Sequence, residues 1–528
     1  MNRIKIFIDE KCKFIVGLFF VVYLIVGISV FKDYGISWDE PDIRDLGALA
    51  WNYVIFGEKN YLTSPASYHG PAFEMFLVSI EKIFNLSNDS RAVFLMRHLV
   101  NFLLFYIATL VFYRLCRYRF RSWKMGLLGS LFLILSPRIF ADSFYNSKDL
   151  AFLSVFIICI DTLIRYLDKK NLLSAFLHAY ICAFLIGIRI IGIIVPSFTI
   201  LFIVTDLFVI KMSKDGVKKI IAILLIYLSL LMSFTILFWP ILWTNPIYHF
   251  MKAYEQMSHY PWEEMEGTVL YLGNYIRANK LPWHYIPVWI LITTPLSYIV
   301  CFFIGCFTLI KKFLSNPIHY YLNNRHDLIF ILGCLLPLGV VCVIGPVLYD
   351  GWRQMFFVYP SLLMVSLIGL TSLFKYIRLK FKGLSYNIIK IALTLLIVWN
   401  LVDTGKFMIK YHPLQNVYFN ILAGKNMEEI KNKFELDYWG LSYRKALEYI
   451  LRNNTDNVIK IYVANYPGMA NALILTFNDR KRLMYVEDLR EARFFLSNYR
   501  WHREEYPYAS EYYSIKIDDA KIMVVYKF

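Results

Sequence analysis

Phe14-Ile-Val-Gly-Leu-Phe-Phe-Val-Val-Tyr-Leu-Ile-Val-Gly-Ile-Ser-Val-Phe31 is an almost unbroken apolar run, and three residues later comes Gly35-Ile-Ser-Trp-Asp39-Glu40-Pro41. The run is long enough to cross a bilayer as a helix. Two adjacent carboxylates therefore stand where a membrane helix meets water. Trp38 suits that depth, because indoles collect at the headgroup level. Pro41 disfavours helical backbone at Glu40, so the pair lies on a turn or a helix start. A carboxylate pair at a membrane edge is hard to explain by packing alone. The structural alternative is capping of the helix that follows, a job open to Asp42 and Asp45 as well.

The rest of the chain agrees with a membrane reading. It has 528 residues, 58% of them hydrophobic, and a mean hydropathy of +0.48. Soluble domains sit nearer half apolar. Repeated apolar runs make it a polytopic α-helical membrane protein. The net charge of +17 then reads first as basic loops on one side of the membrane. No basic stretch is interleaved with aromatics on a soluble face, so nucleic acid is excluded as a partner. The eight cysteines fall almost entirely inside apolar runs and show no metal spacing, so they read as small core residues. Arg3, Lys5, Lys11 and Lys13 precede the first run, and no small-residue cleavage site follows it. That pattern is an uncleaved signal anchor. No P-loop or dinucleotide glycine pattern is present.

The periodicity predicts about eleven spans, at residues 14–31, 99–116, 125–137, 150–167, 172–188, 190–210, 220–243, 285–310, 328–348, 355–374 and 386–402. One alternate set of loops is rich in Lys and Arg: the N-terminus, 114–124, 165–170, 211–219, 311–325 and 375–382. The other set, at 137–149, 189, 244–280 and 349–353, is poorer in them. The basic set is cytoplasmic. The other faces outward, and an odd span count puts the C-terminus outside too. This places a transmembrane domain at 1–403, with a long outside loop at 32–98, and an extracytoplasmic domain at 404–528. Segments 42–56 and 73–84 of that loop are amphipathic, and 244–280 is another interfacial candidate. In the last domain, 458–464 reads as a strand, 510–517 and 521–526 as a terminal hairpin, and 441–451 and 489–498 as helices. It is a small α/β domain.

Candidate chemistry gathers on the outward face. Asp149, in Ser143-Phe-Tyr-Asn146-Ser147-Lys148-Asp149, precedes the fourth span. Ser147 or Asp149 also suits an N-cap there. Two carboxylates at one cavity divide two tasks: one takes a proton from a nucleophile, and the other orients it or holds a divalent metal. Metal dependence stays open at this level, and no other cofactor is implied. The cations are Arg189, Arg353 and Lys148. An outward-facing arginine is not there for loop bias, and its fork suits phosphate, although Arg353 with Asp350 also reads as an ion pair. Tyr68 and His69, in Tyr68-His69-Gly70-Pro71, are candidates for substrate contact, against the plainer reading of a solvated loop histidine. Asp161 and Asp206 read as helix-packing residues.

An acidic pair after the first span, a second acid before the fourth and a polytopic core resemble the GT-C glycosyltransferases. The likeness is to the protein O-mannosyltransferase and aminoarabinose transferase branch, the dolichyl-phosphate-mannose-protein mannosyltransferase-like enzymes. Asp39-Glu40-Pro41 resembles that branch's first-loop motif. Tyr68-His69-Gly70-Pro71 falls where the branch has a proline-containing motif, without its frequent lysine. Gly351-Trp-Arg353-Gln-Met-Phe-Phe-Val-Tyr-Pro360 resembles its late Arg-to-Pro motif, and Phe434-Glu-Leu-Asp-Tyr-Trp-Gly-Leu-Ser442 resembles a segment of bacterial members with an outside domain. The resemblance implies a glycosyltransferase of the cell inner (plasma) membrane with an extracytoplasmic site. It implies a polyprenyl-phosphate-linked sugar donor, a protein, lipid or glycan acceptor, contact with membrane lipid, and inversion at the anomeric carbon. Asp39, Glu40 and Asp149 then become the catalytic carboxylates, with Asp39 the general base. Tyr68, His69, Lys148, Arg189 and Arg353 become the substrate-binding residues. The competing readings are a transporter or lipid flippase of envelope precursors, which places ionisable residues at the midplane, and an envelope scaffold, which needs no carboxylates.

Overall fold

The computed structural model describes the backbone of residues 2–258 and 267–528 and the side chains of 12–257 and 267–528. The side chains of Arg3, Lys5 and Lys11, and residues 259–266 of the candidate interfacial loop, lie outside the described residues.

Among the described residues, nine helices are long and apolar enough to cross a membrane: Cys12–Val30, Ser90–Phe120, Asp149–Lys169, Ile190–Val209, Lys214–Phe238, Leu296–Ser315, Pro317–Ile344, Arg353–Lys380 and Gly383–Lys410. The chain is an integral membrane protein. The other two of the eleven expected spans take different forms. Leu172–Ile188 is apolar but shorter, and Trp123–Ile134 with Pro137–Tyr145 is a pair bent by 70°. The bend falls at Ser136, which is extended (φ −113°, ψ 95°). Proline follows it, and the residue before proline avoids helical backbone. The same effect corrects the expected span 285–310. Thr294 is extended (φ −102°, ψ 140°) before Pro295, so the stretch divides into Tyr285–Thr293 and the spanning Leu296–Ser315.

The two most enclosed spans are Asp149–Lys169 and Arg353–Lys380. Each begins with a candidate site residue, so Asp149 and Arg353 sit at the ends of the innermost helices. At the other end of the bundle, Asp206 pairs with Lys170 at 2.7 Å and Arg325 at 3.0 Å, and Asp161 pairs with Arg165 at 2.9 Å and with Arg114. Over the near end, Glu40–Phe56 and Ala72–Ile83 form the two amphipathic helices expected in the first loop.

Strands β1 (Thr268–Tyr271) and β2 (Asn274–Arg277) form a small antiparallel ribbon. The C-terminal sheet contains β3 (Ile459–Val463), β4 (Leu483–Tyr485), β5 (Phe494–Ser497), β6 (Glu511–Ile517) and β7 (Ala520–Lys527) in the order β4-β3-β5-β7-β6. β3 runs parallel to β4 and β5, and β7 runs antiparallel to β5 and β6. Helix Ser442–Arg452 covers one face through Leu447, Ile450 and Leu451. The helix expected at 489–498 is instead the central strand β5. A short apolar run fits either state by pattern, and pairing with β3 and β7 decides it.

Residues 34–38 are clamped between the two parts. Tyr34 stacks on Phe144 at 4.5 Å, and its carbonyl accepts from Arg444 at 2.6 Å. Asn471 exchanges hydrogen bonds with both Ile36 backbone groups at 2.9 Å. Gly35 lies so close that a Cβ there would stand 2.8 Å from the Leu441 carbonyl oxygen. Only glycine permits this approach.

Candidate active site

Asp39 occupies the N-cap position of helix Glu40–Phe56, yet its side chain makes no capping bond. Its Oδ2 instead lies 2.9 Å from Arg353 Nη1, with the Asp39 side chain 31% exposed and that of Arg353 only 3%. The same Nη1 lies 3.2 Å from Asp149 Oδ2. Arg353 stacks over Trp439 at 4.7 Å and Tyr349 at 5.0 Å. Its Nη2 is 3.7 Å from Asp350, an ion pair without a hydrogen bond. Among the described residues, Nε and Nη2 have no hydrogen-bond partner. These two atoms form the side-on edge of the guanidinium, the edge that takes an oxyanion with two parallel bonds.

Asp149 does not cap its helix either. Asn146 Oδ1 accepts from the backbone N–H of Asp149 at 2.8 Å and of Lys148 at 3.3 Å, while Asn146 Nδ2 donates to Asp149 Oδ2 at 3.1 Å. Asp149 also pairs with Arg189, so one carboxylate orients two arginines. Arg189 follows helix Leu172–Ile188 in extended backbone. Gly70 meets that turn so tightly that a Cβ on it would lie 2.3 Å from the Gly187 carbonyl oxygen. The contact brings His69 to Lys148 and Arg189. Those two charges, with burial, hold the His69 imidazole well below its usual value. Lys148 is pushed down to about 8, first by burial and then by Arg189, against the pull of Asp149, Asp39 and Glu74.

Two sequence candidates lie elsewhere. Glu40 is buried, and both its oxygens are engaged: Oε2 accepts from the Ser37 N–H at 2.8 Å, and Oε1 meets His98 Nε2 at 3.0 Å. It braces the turn that carries Asp39. Tyr68 turns its hydroxyl to His249 at 3.2 Å, with Lys252 over its ring at 5.0 Å. That places it against helix Pro246–Ser258.

Other residues join the site without having stood out in the sequence. Glu74 pairs with the buried Arg97 and accepts from Ser147 Oγ at 2.5 Å. Arg138 is held between Trp289 at 5.2 Å and Phe419 at 4.6 Å and donates to the Tyr418 carbonyl at 3.1 Å. From the C-terminal domain, Arg500 pairs with Asp350 at 2.9 Å and donates to the Tyr438 carbonyl at 2.5 Å. Burial pushes Glu435 up to about 7, with Arg500 opposing and Asp350 adding to the shift. A charged residue in a soluble domain is ordinary, so no local signal marked Arg500 or Glu435.

The donor set does not suit a resident divalent ion. Among the described residues, no three His, Cys, Asp or Glu side chains are placed to hold one. Asp39 and Asp149 converge on a guanidinium nitrogen, which occupies the point where a cation would sit. The arrangement suits a bound anion, with one reachable carboxylate beside it.

No family model matches the sequence, and no curated protein matches it. Among solved structures, the chain is similar to ArnT from Cupriavidus metallidurans bound to undecaprenyl phosphate, with TM-score 0.46 and 12% identity over 96% of this chain and 97% of that one. The apo state of the same protein gives TM-score 0.48 and 11% identity over 97% of both chains. With likeness this distant, the functional reading rests on the residues themselves.

Proposed function

We propose that this chain is a membrane glycosyltransferase that moves a sugar from a polyprenyl-phosphate donor to an acceptor hydroxyl or amine on the extracytoplasmic face. The observation that carries this reading is the 2.9 Å pair of a reachable carboxylate, Asp39, with a buried arginine, Arg353, whose side-on edge makes no hydrogen bond. The donor's phosphate takes that edge, with Arg189 and Lys148 adding positive charge. The phosphate's negative charge on that edge draws on the same guanidinium charge and loosens the hold of Arg353 Nη1 on Asp39. Asp39 then accepts the acceptor's proton as the acceptor atom attacks the anomeric carbon from the face opposite the phosphate. The bond from that carbon to the phosphate oxygen breaks, and its electron pair leaves with the polyprenyl phosphate. The configuration inverts. Asp149 holds both arginines in place, and His69, kept neutral by its cationic neighbours, lines the phosphate side. The outward position of the site is supported by the loop charges, since Asp39, Lys148, Arg189 and Arg353 all fall in the set of loops poorer in Lys and Arg.

The test is mass spectrometry of lipids extracted from cells lacking the protein. Accumulation of one polyprenyl-phosphate sugar supports the reading and identifies the sugar. An unchanged lipid-phosphate sugar pool, together with no transfer by purified protein offered such donors, refutes it.

A further inference from the structure

Tyr499 and Trp501 both hold left-handed backbone, at φ 60° and 59°. Residues with side chains adopt that conformation only where the surroundings impose it, and such positions gather at ligand sites. Between them, Arg500 turns inward to Asp350. Trp501 is left facing outward, 42% exposed. Its indole is fixed, because Nε1 donates to the Thr268 carbonyl at 3.1 Å. Trp38 meets it edge-on, with ring centroids 5.7 Å apart, and Arg500 packs 4.6 Å from both rings. Tyr466 closes another side, 6.2 Å from Trp38. The backbone at Trp38 is itself held, its amide N–H donating to the Trp439 carbonyl at 3.2 Å. Trp38 immediately precedes Asp39, and Asp42 is close enough to Asp39 to feel its charge.

Core packing does not account for an indole that is both exposed and rigidly held. A pyranose ring has a face of C–H bonds and an edge of hydroxyls. Such a ring is bound by an aromatic surface bordered by planar charged groups, which accept and donate to the hydroxyls. The aromatic residues here are Trp38, Trp501 and Tyr466, and the bordering charged groups are Asp39 and Asp42, while the inward-turned Arg500 backs both indoles from one face. We infer that Trp38 and Trp501 form a subsite for a sugar ring of a glycan acceptor, seated so that one of its hydroxyls reaches Asp39. The inference rests on the glycosyl-transfer reading and names its acceptor class. It also gives the C-terminal domain a task, since Arg500 and Trp501 come from it.

Titration calorimetry of the full-length protein in detergent, with gluco-, galacto- and manno-configured tetrasaccharides as probes at about 10 mM, tests the subsite directly, because a site of millimolar affinity fills at that level. At least one probe is expected to bind. Trp501→Ala should weaken that binding at least about fivefold, Trp501→Phe should recover part of it, and Trp283→Ala, at an exposed tryptophan elsewhere, should leave it unchanged. In the transfer assay Trp501→Ala should raise the acceptor KM while donor affinity holds. Absence of binding by all three probes, or equal binding by Trp501→Ala, overturns the subsite. Quenching of Trp501 by brominated phospholipid without any saccharide effect also overturns it, by assigning the indole to the membrane surface. Saccharide binding that depends on Trp501 without any glycosyl transfer supports the subsite and overturns the transfer reading alone.

Discussion

Arg97 and His98 are consecutive residues of one helix, and each holds a different loop of the site. Arg97 pairs with Glu74, which accepts from Ser147, two residues before Asp149. His98 meets Glu40, the neighbour of Asp39. A single turn of helix Ser90–Phe120 therefore spaces the two acids that converge on Arg353. Removing one partner of a buried ion pair strands the other. Glu74→Gln should therefore cost about 3–5 kcal/mol of stability, and Glu74→Gln with Arg97→Met should recover much of it. Thermal unfolding in detergent measures both. A single variant as stable as wild type would show that the pair does not hold the loop.

Arg353 is the better placed of the two arginines to grip a phosphate, because its side-on edge makes no hydrogen bond and Asp149 and Trp439 fix its plane. Lysine keeps the charge and loses the fork. Arg353→Lys should weaken binding of a short-chain polyprenyl phosphate by about ten- to a hundred-fold, the worth of a charged hydrogen bond. Arg189→Lys should cost less. Native mass spectrometry of the lipid complex reads both, and wild-type binding by both variants would remove the arginines from the phosphate site.

Lys148 gives donor binding a pH dependence. Its amine is pushed down to about 8 by burial and by Arg189. Below that pH it is charged and attracts phosphate; as pH rises through about 8 the charge is lost, and donor affinity should fall on the alkaline side. Bound phosphate stabilises the charged form, so the fall should move to higher pH at saturating donor. Lys148→Arg stays charged throughout and should abolish the fall between pH 7 and pH 9. An alkaline limb that persists in that variant belongs to another group.

Asp39 and Arg353 were legible because their residue types conflict with their setting: an acid just past an apolar run, and an arginine in the set of loops poorer in Lys and Arg. The same reasoning brought Arg189, Lys148 and Asp149 into one cluster. It missed Glu74 and Arg97, because a lone charge on an amphipathic helix reads as its solvated face until a partner helix buries it. It could not tell that Tyr68 turns to His249 while its neighbour His69 approaches the cluster, because a loop carries no period to say where a side chain points. Arg500 and Glu435 were invisible for a different reason. The burial of Arg500 comes with the docking of the C-terminal domain over Asp350, a contact between positions 150 residues apart, and Glu435 feels the charges of that same pair.

The alternation of basic loops predicts an extracytoplasmic C-terminus. Ser510, exposed just before β6, is a convenient reporter. Ser510→Cys should react with an impermeant maleimide on intact cells, or on spheroplasts where an outer membrane blocks the reagent. Labelling only after lysis would invert the topology, and with it the side on which Asp39 works.

The decisive variant is Asp39→Asn. Asparagine keeps the shape of the side chain and its contact distance to Arg353 but cannot take a proton. Positioned base catalysis typically contributes about a hundred- to ten-thousand-fold, and turnover should fall by roughly that factor. Donor binding should hold or tighten, because a neutral amide competes less well than a carboxylate with the phosphate for Arg353. Glu40→Gln should behave differently. Its oxygens serve Ser37 and His98 inside the turn, so its loss should act on stability and only modestly on rate. Measuring turnover, donor affinity and thermal stability for both variants separates a base from a brace. Near-normal turnover in Asp39→Asn would remove Asp39 from the chemistry, whatever the donor affinity.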